Sequence, residues 1–518
     1  MTEPESTRQT AIEEIEEHLK AGRYREAIQL LHTLCGMFPE NTDYLVLLGR
    51  CYLKIGSPLN ALLSIQKRGP SHSPNQDLLE LLRVVYEHLY LIDQSMQLAR
   101  HLTKLGNATE DAYLSYTRFL LENEQAVEAT EVVQDGLTKY PSSEGLKFTQ
   151  GILHVRLQEL DRAAALADEL RNSGSALASE LSEFIEKGYH RAVEELKAQG
   201  AEKAGEFLKQ ATQFMTDGNL EGAAHSLIAT LRADRNQALA YTRLGYVYDG
   251  CGLFEEGLSL HNKAVALDPG LVEAYRNLGY SYHKAGQFRE AIDTYGKALG
   301  FDPDNVDVHN NLGVVYDTLG NYEKGIEHFR QSLKIDPKRE DTWRNLGYAY
   351  QAQGLVDDAI AAYRSAMKVN PQSPSRLQLA TLYRVLHQYK EAKKELLAIV
   401  KDKPESLAAW LELAICYKEL KQKKKFTETF EKARALHAKT PSEAFTKGQL
   451  MEILDERAAV DCWTAYLAMA GEVPHEAKRY QYAQERREAL MRKLGITPPP
   501  AHIIEGETPP PKEPDAGA

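Results

Sequence analysis

Four prolines, Pro269, Pro303, Pro337 and Pro371, stand 34 residues apart. A fixed period of this size points to stacked supersecondary units, each too small to bury its apolar face without a neighbour. The chain length of 518 residues fits this reading, since a single core stops growing at about 250–300 residues.

Within each period the same residue types return. Leu244-Gly245, Leu278-Gly279, Leu312-Gly313 and Leu346-Gly347 are each followed three residues on by Tyr248, Tyr282, Tyr316 or Tyr350. Leu and Tyr four apart share a helix face. The Gly between them leaves room for a second helix to cross closely, which offsets the roughly 1 kcal/mol a glycine costs a helix interior. A second amphipathic stretch follows: Gly257, Ala291, Gly325 and Ala359 lie four residues before His261, Tyr295, Phe329 and Tyr363, with Ala264, Ala298, Ser332 and Ala366 three further on. Short polar turns such as Ala285-Gly286-Gln287 and Leu319-Gly320-Asn321 separate the two helices, their glycines suited to positive φ. Asp268-Pro269, Asp302-Pro303 and Asp336-Pro337 end the second helix, because proline disfavours helical geometry in the residue before it. The spacing thus predicts helix, turn, helix, stop.

The pattern aromatic-x-x-Leu-Gly-x-x-Tyr, then Ala, aromatic, Ala and Pro, resembles the tetratricopeptide-repeat family, most closely at 272–305 and 340–373, where Tyr275 and Trp343 open the units. The resemblance implies an all-α, right-handed superhelical solenoid of antiparallel helix pairs in two arrays with a helical joint. Extending the register gives a degenerate N-terminal array of five units over 8–175, a helical joint at 176–203, and a central array of seven units over 204–439 that is best formed at 238–371. A degenerate repeat with a capping helix is expected over 440–495, and a disordered, acidic, Pro-rich tail over 496–518.

Composition restricts function. The formal charge of −12 gives no general attraction to nucleic acid or anionic lipid. Cys35, Cys51, Cys251, Cys416 and Cys462 are scattered, never in a Cys-x-x-Cys pair, and read as buried thiols rather than a disulfide framework or zinc site. The start of the chain has no charged-then-apolar signal pattern and no apolar run reaches the ~18 residues of a membrane span, so a cytoplasmic protein is expected. Phosphate-loop, nucleophile-elbow and His-Glu-x-x-His motifs are absent, so no catalytic residue, cofactor or metal is assigned. His283, His309 and His328 occupy different helix positions and are not taken as ligands.

What remains is binding. In the family, the first helix of each unit lines a concave surface. The sixth positions carry Arg243, Asn277, Asn311 and Asn345, a row similar to the one in the repeat array of O-linked N-acetylglucosamine transferase, and carboxamides that donate and accept can pair with peptide backbone. The fifth positions carry Arg276, Asn310 and Arg344; the guanidinium forks of the two arginines, with that of Arg243, can hold acidic peptides or pair with Glu273, Asp307 and Asp341. Tyr246, Tyr280 and Tyr348 at the ninth positions offer amphipathic surface in place of the Asn of a carboxylate clamp. The resemblance implies a non-enzymatic scaffold or adaptor for extended or helical peptide segments of other proteins. Two alternatives stand beside it: a substrate-presenting or regulatory subunit of a glycosyltransferase, since residues 476–518 leave no room for a catalytic domain, and an RNA-binding solenoid, against which the acidity argues.

Overall fold

The computed structural model describes residues 3–39, 41–68, 75–106, 108–470 and 477–496. Among them are 28 α-helices and no strand. They divide into two compact units, Met1–Pro303 and Asp304–Ala518. The consensus block 238–371 therefore contributes two helix pairs to each unit. The expected tail lies outside the described residues from 497 onward.

In the first unit, five antiparallel pairs come first: α1 (Glu3–Lys20) with α2 (Tyr24–Met37), α3 (Thr42–Lys54) with α4 (Pro58–Arg68), α5 (Gln76–His88) with α6 (Ile92–Lys104), α7 (Glu110–Glu122) with α8 (Ala126–Lys139), and α9 (Glu144–Arg156) with α10 (Leu160–Asn172). After α11 (Leu177–Lys187), α12 (Tyr189–Thr216) runs 28 residues without a break, from the expected joint into the next repeat, where it pairs with α13 (Leu220–Ala233). Two regular pairs follow: α14 (Ala238–Gly250) with α15 (Phe254–Leu267), and α16 (Val272–Lys284) with α17 (Phe288–Phe301). In the second unit the pairs are α18 (Val306–Thr318) with α19 (Tyr322–Ile335), α20 (Glu340–Ala352) with α21 (Val356–Val369), α22 (Ser375–Val385) with α23 (Tyr389–Asp402), α24 (Leu407–Glu419) with α25 (Lys423–Ala435), and α26 (Pro441–Leu454) with α27 (Glu456–Ala470). The last helix, α28 (Ala477–Leu494), packs on α27.

The local rules read from the repeat operate in both units. A Cβ on Gly279 would stand 2.6 Å from the buried Tyr295 ring, and one on Gly347 2.7 Å from Tyr363. Only a bare backbone lets the paired helices meet at this distance. Gly286 and Gly320 turn between helices at φ 76° and 73°. Asp302 and Asp336 follow the second helices at φ −135°, ψ 87° and φ −127°, ψ 97°, outside the helical region that a following proline disfavours.

The first unit departs from a simple stack, in which each repeat touches only its neighbours. One apolar core joins Leu81, Val85, Leu89, Tyr90 and Leu91 to Leu227, Leu231, Tyr241, Tyr248 and Leu260. Tyr90 donates a hydrogen bond to the Leu231 carbonyl at 2.8 Å, and Tyr248 returns one to the Leu89 carbonyl. Ser57 reaches Glu221 at 3.0 Å, Gln66 reaches Glu256 at 2.7 Å, and Arg235 pairs with Glu122. Tyr90 sits in the turn between α5 and α6 at φ 59°, where the regular repeats have glycine. A left-handed conformation costs a tyrosine about 1–2 kcal/mol, and here it aims the ring into the seam. In the same array Arg83 is wholly buried and holds Glu80, Glu87 and Asp111 together.

The second unit closes on Trp463, fully buried, whose indole N–H donates to Glu452 at 2.7 Å, while Arg486 of α28 also engages Glu452. None of the five cysteines forms a disulfide. Cys35, Cys51 and Cys416 are buried as expected, but Cys251 and Cys462 are only half-buried.

Candidate functional site

The first unit carries half of the residues singled out from sequence, on α14 and α16. Arg243 donates to Thr212 Oγ1 of α12 at 2.7 Å and lies 3.8 Å from Glu273. Arg276 Nε donates to the Asn277 side-chain oxygen at 3.3 Å, and Asn277 is buried, with 6% of its surface exposed. Tyr246 is 47% exposed, whereas Tyr248, two positions on, is fully buried. Tyr280 is half-buried, and burial together with Asp249 pushes its hydroxyl pKa up.

The other half lies on α18 and α20 of the second unit. Asn345 Nδ2 donates to Asn310 Oδ1 at 3.2 Å, and Asn310 is 7% exposed. Asn311 and Arg344 are half-buried, with Arg344 3.2 Å from Glu340. Asp307 and Asp341, expected as partners for the fifth-position arginines, are instead gathered by Arg339, at 2.6 and 2.9 Å. Its guanidinium holds the Asp341 carboxyl below the usual range. Tyr348 is 57% exposed. Of the ten residues, Asn277 and Asn310 are thus spent inside the fold, Arg243 and Arg344 already face carboxylates, and Tyr246 and Tyr348 are the large apolar surfaces left open to a partner.

A hydroxyl–imidazole–carboxylate chain exists in the first unit and was missed in the sequence because its members lie on two helices. Thr242 Oγ1 is 3.0 Å from His261 Nδ1, and His261 Nε2 is 3.2 Å from Asp249 Oδ2, which also accepts from Ser281 Oγ at 2.6 Å. With Nε2–H pointing at a carboxylate, Nδ1 is left to accept from the hydroxyl. The connectivity is that of a nucleophile and its base, but Thr242, His261 and Ser281 have no exposed surface, so no substrate reaches them. Its role is to satisfy a histidine that fills the slot held by Tyr295, Phe329 and Tyr363 elsewhere.

In the second unit His309 and His328 approach with Nδ1 atoms 3.2 Å apart, and Tyr316 stacks on His328. Burial and the neighbouring His309 lower the His328 pKa. Among the described residues no group of three or more His, Cys, Asp or Glu side chains could hold a metal ion, and no helix is long and apolar enough to cross a membrane.

The seam in the first unit encloses a cleft of about 240 Å³ lined by Tyr90, Asp93, Glu122, Arg235, Tyr241 and Lys263. Its sequence signal was weak: the turn position that glycine holds in the regular repeats carries Tyr90 here, but it also carries Glu124, Gln158, His387 and Lys421 in other helix pairs.

Tetratricopeptide-repeat models match residues 12–72 and 377–443, 279–320, 306–339 and 341–373. The chain carries tetratricopeptide repeats, the building block of proteins that mediate protein interactions. A comparison with curated proteins finds no match. Among solved structures, similar chains include MamA (27% identity over 33% of this chain and 93% of MamA, TM-score 0.29), Pseudomonas aeruginosa PilF (20% identity, 40% and 96%, TM-score 0.36) and yeast Tom70 (14% identity, 81% and 96%, TM-score 0.43).

Proposed function

We propose that this protein is a scaffold without chemistry of its own, which binds segments of other proteins on the first-helix faces of its repeats. The observation that carries the reading is the exposure of Tyr246 and Tyr348 beside neighbours that the fold buries completely. Such rings lose little rotamer entropy on binding and present an apolar face with a polar tip. Arg276 on the first unit, and Asn311 and Asn345 on the second, supply hydrogen-bonding groups on these first-helix faces, able to pair with the backbone of an extended or helical segment. Since Arg243 and Arg344 are already offset by Glu273 and Glu340, selection for acidic segments is not ascribed to this face. The sealed Thr242–His261–Asp249 chain favours a non-enzymatic role.

The test is affinity capture from native lysate, read by mass spectrometry, with wild type beside Tyr246→Ser/Tyr348→Ser and Asn311→Ala/Asn345→Ala, both checked by circular dichroism. The expected result is loss of the same specific partners from both variants. An unchanged set of partners refutes the reading.

A further inference from the structure

The chain's charge of −12 conceals a local reversal. Residues 374–439 hold fifteen Lys and Arg against eight Asp and Glu, a net of +7 within two helix pairs of the second unit. The arginines do not create this surface. Arg376 is paired with Glu395, and Arg384 with the buried Glu412. The excess is carried by lysines, and Lys390, Lys394, Lys421, Lys423, Lys424 and Lys425 are all exposed. Among the described residues none of the six has a carboxylate within ion-pairing distance. Lys425 instead leans over the Tyr417 ring at 5.8 Å. Lys390 and Lys424 occupy the same position of α23 and α25, one repeat apart, so the charge spans two successive second helices and the turn at Lys421.

Helix stability does not explain this arrangement. The second helices α13, α15, α17, α19, α21 and α23 each carry an acidic residue in the first turn, where the macrodipole favours one. α25 has none and begins Lys423-Lys424-Lys425, adding three cations to a helix end that is already positive. Lysine is a hydrated point charge without the bidentate fork of arginine, so such a surface reads charge density rather than a fixed motif.

We propose that this lysine surface is a second docking site, separate from the first-helix faces, for a short, flexible, acidic segment of a partner protein. Charge complementarity selects the acid. The confinement of the patch selects the short flexible segment: Asp357 and Asp358 open α21 on one side, and Glu443 opens α26 on the other. A nucleic-acid strand or a flat anionic bilayer extending past the two repeats meets those carboxylates, whereas a short acidic segment stays within the lysines.

The test uses the full chain and a fluorescein-labelled synthetic peptide of alternating Glu and Ser, followed by anisotropy at low and physiological salt. The variant is Lys421→Glu/Lys423→Glu/Lys424→Glu/Lys425→Glu. Because acids at a helix N-terminus stabilise it, this variant is expected to fold at least as well as wild type, so lost binding is not lost structure. The expected result is binding that weakens with salt and falls by about tenfold or more in the variant. Tyr246→Ser/Tyr348→Ser is expected to bind the peptide as wild type does, which separates this site from the proposed first-helix faces. Equal binding by wild type and the lysine variant overturns the proposal. So does tighter binding of a single-stranded oligonucleotide, or of vesicles with one-third anionic lipid, than of the peptide. Stronger peptide binding by a full chain with Glu505, Glu507, Glu513 and Asp515 changed to their amides would assign the site to the chain's own tail and likewise overturn it.

Discussion

The side-chain oxygen Oδ1 of Asp317 lies against Gly325 so closely that a Cβ on the glycine would overlap it. Asp249 and Gly257, two repeat periods earlier, stand in the same relationship. Where the first-helix residue is instead His283 or Gln351, the second helix carries Ala291 or Ala359. The aspartate and the glycine therefore come as a pair.

Gly325→Ala is expected to destabilise the second unit by about 1–3 kcal/mol through overpacking, although alanine is the better helix former. Gly325→Ala/Asp317→Ala is expected to regain most of that loss. Urea unfolding of the two variants beside wild type checks both expectations, and a stabilising single substitution would contradict the packing argument.

Asp317 also makes stability depend on pH. Burial pushes its carboxyl from 3.8 up to about 7. With the folded value above the unfolded one, the stabilising contribution is complete below the unfolded pKa and is lost as pH rises through the folded value. Asp317→Asn is expected to flatten the fall in melting temperature between about pH 4 and about pH 7. After solvent screening the difference amounts to about 1–2 kcal/mol, which thermal unfolding at several pH values resolves.

Arg83 has no exposed surface and is gripped by Glu80, Glu87 and Asp111, with Ser115 at 3.0 Å completing its hydrogen bonds. Arg83→Met leaves the three carboxylates facing one another without their cation and is expected to cost about 3–5 kcal/mol. Denaturant unfolding measures the loss.

The seam of the first unit is testable through Tyr90. Tyr90→Gly relieves the left-handed strain in the α5–α6 turn but removes the ring and the hydrogen bond to Leu231. In a stack of nearest neighbours, hydrogen exchange would change only around that turn. With the seam formed, faster exchange is expected in α13 and α15 as well. Tyr248→Phe, which deletes one hydrogen bond, is expected to lower stability by about 1 kcal/mol.

The repeat itself was legible because its rules are local. A crossing glycine, a left-handed turn glycine and a proline stop each act within a few residues of their own position, and Gly279, Gly286 and Asp302 behave as the spacing predicts. Asn277 and Asn310 show where that reading ended: their register indicates a face, while their burial depends on Arg276 and on Asn345 of the next helix pair. The Thr242–His261–Asp249 chain and the Tyr90–Tyr248 seam were illegible for a related reason, since their partners meet only after the chain has folded. The lysine surface was present in the sequence throughout, but a whole-chain charge averages it away.

The reciprocal bonds of Tyr90 and Tyr248 also restrict how this chain can change over generations. An open solenoid gains or loses repeats freely, since each unit needs only a neighbour of its own kind. Here the helices from α6 to α12 form a span whose two ends must meet, so a duplicated or deleted 34-residue unit between Leu91 and Leu231 would carry one tyrosine away from the other's carbonyl. The repeat count in that span is held by the seam, whereas units added after Pro303 face no such test.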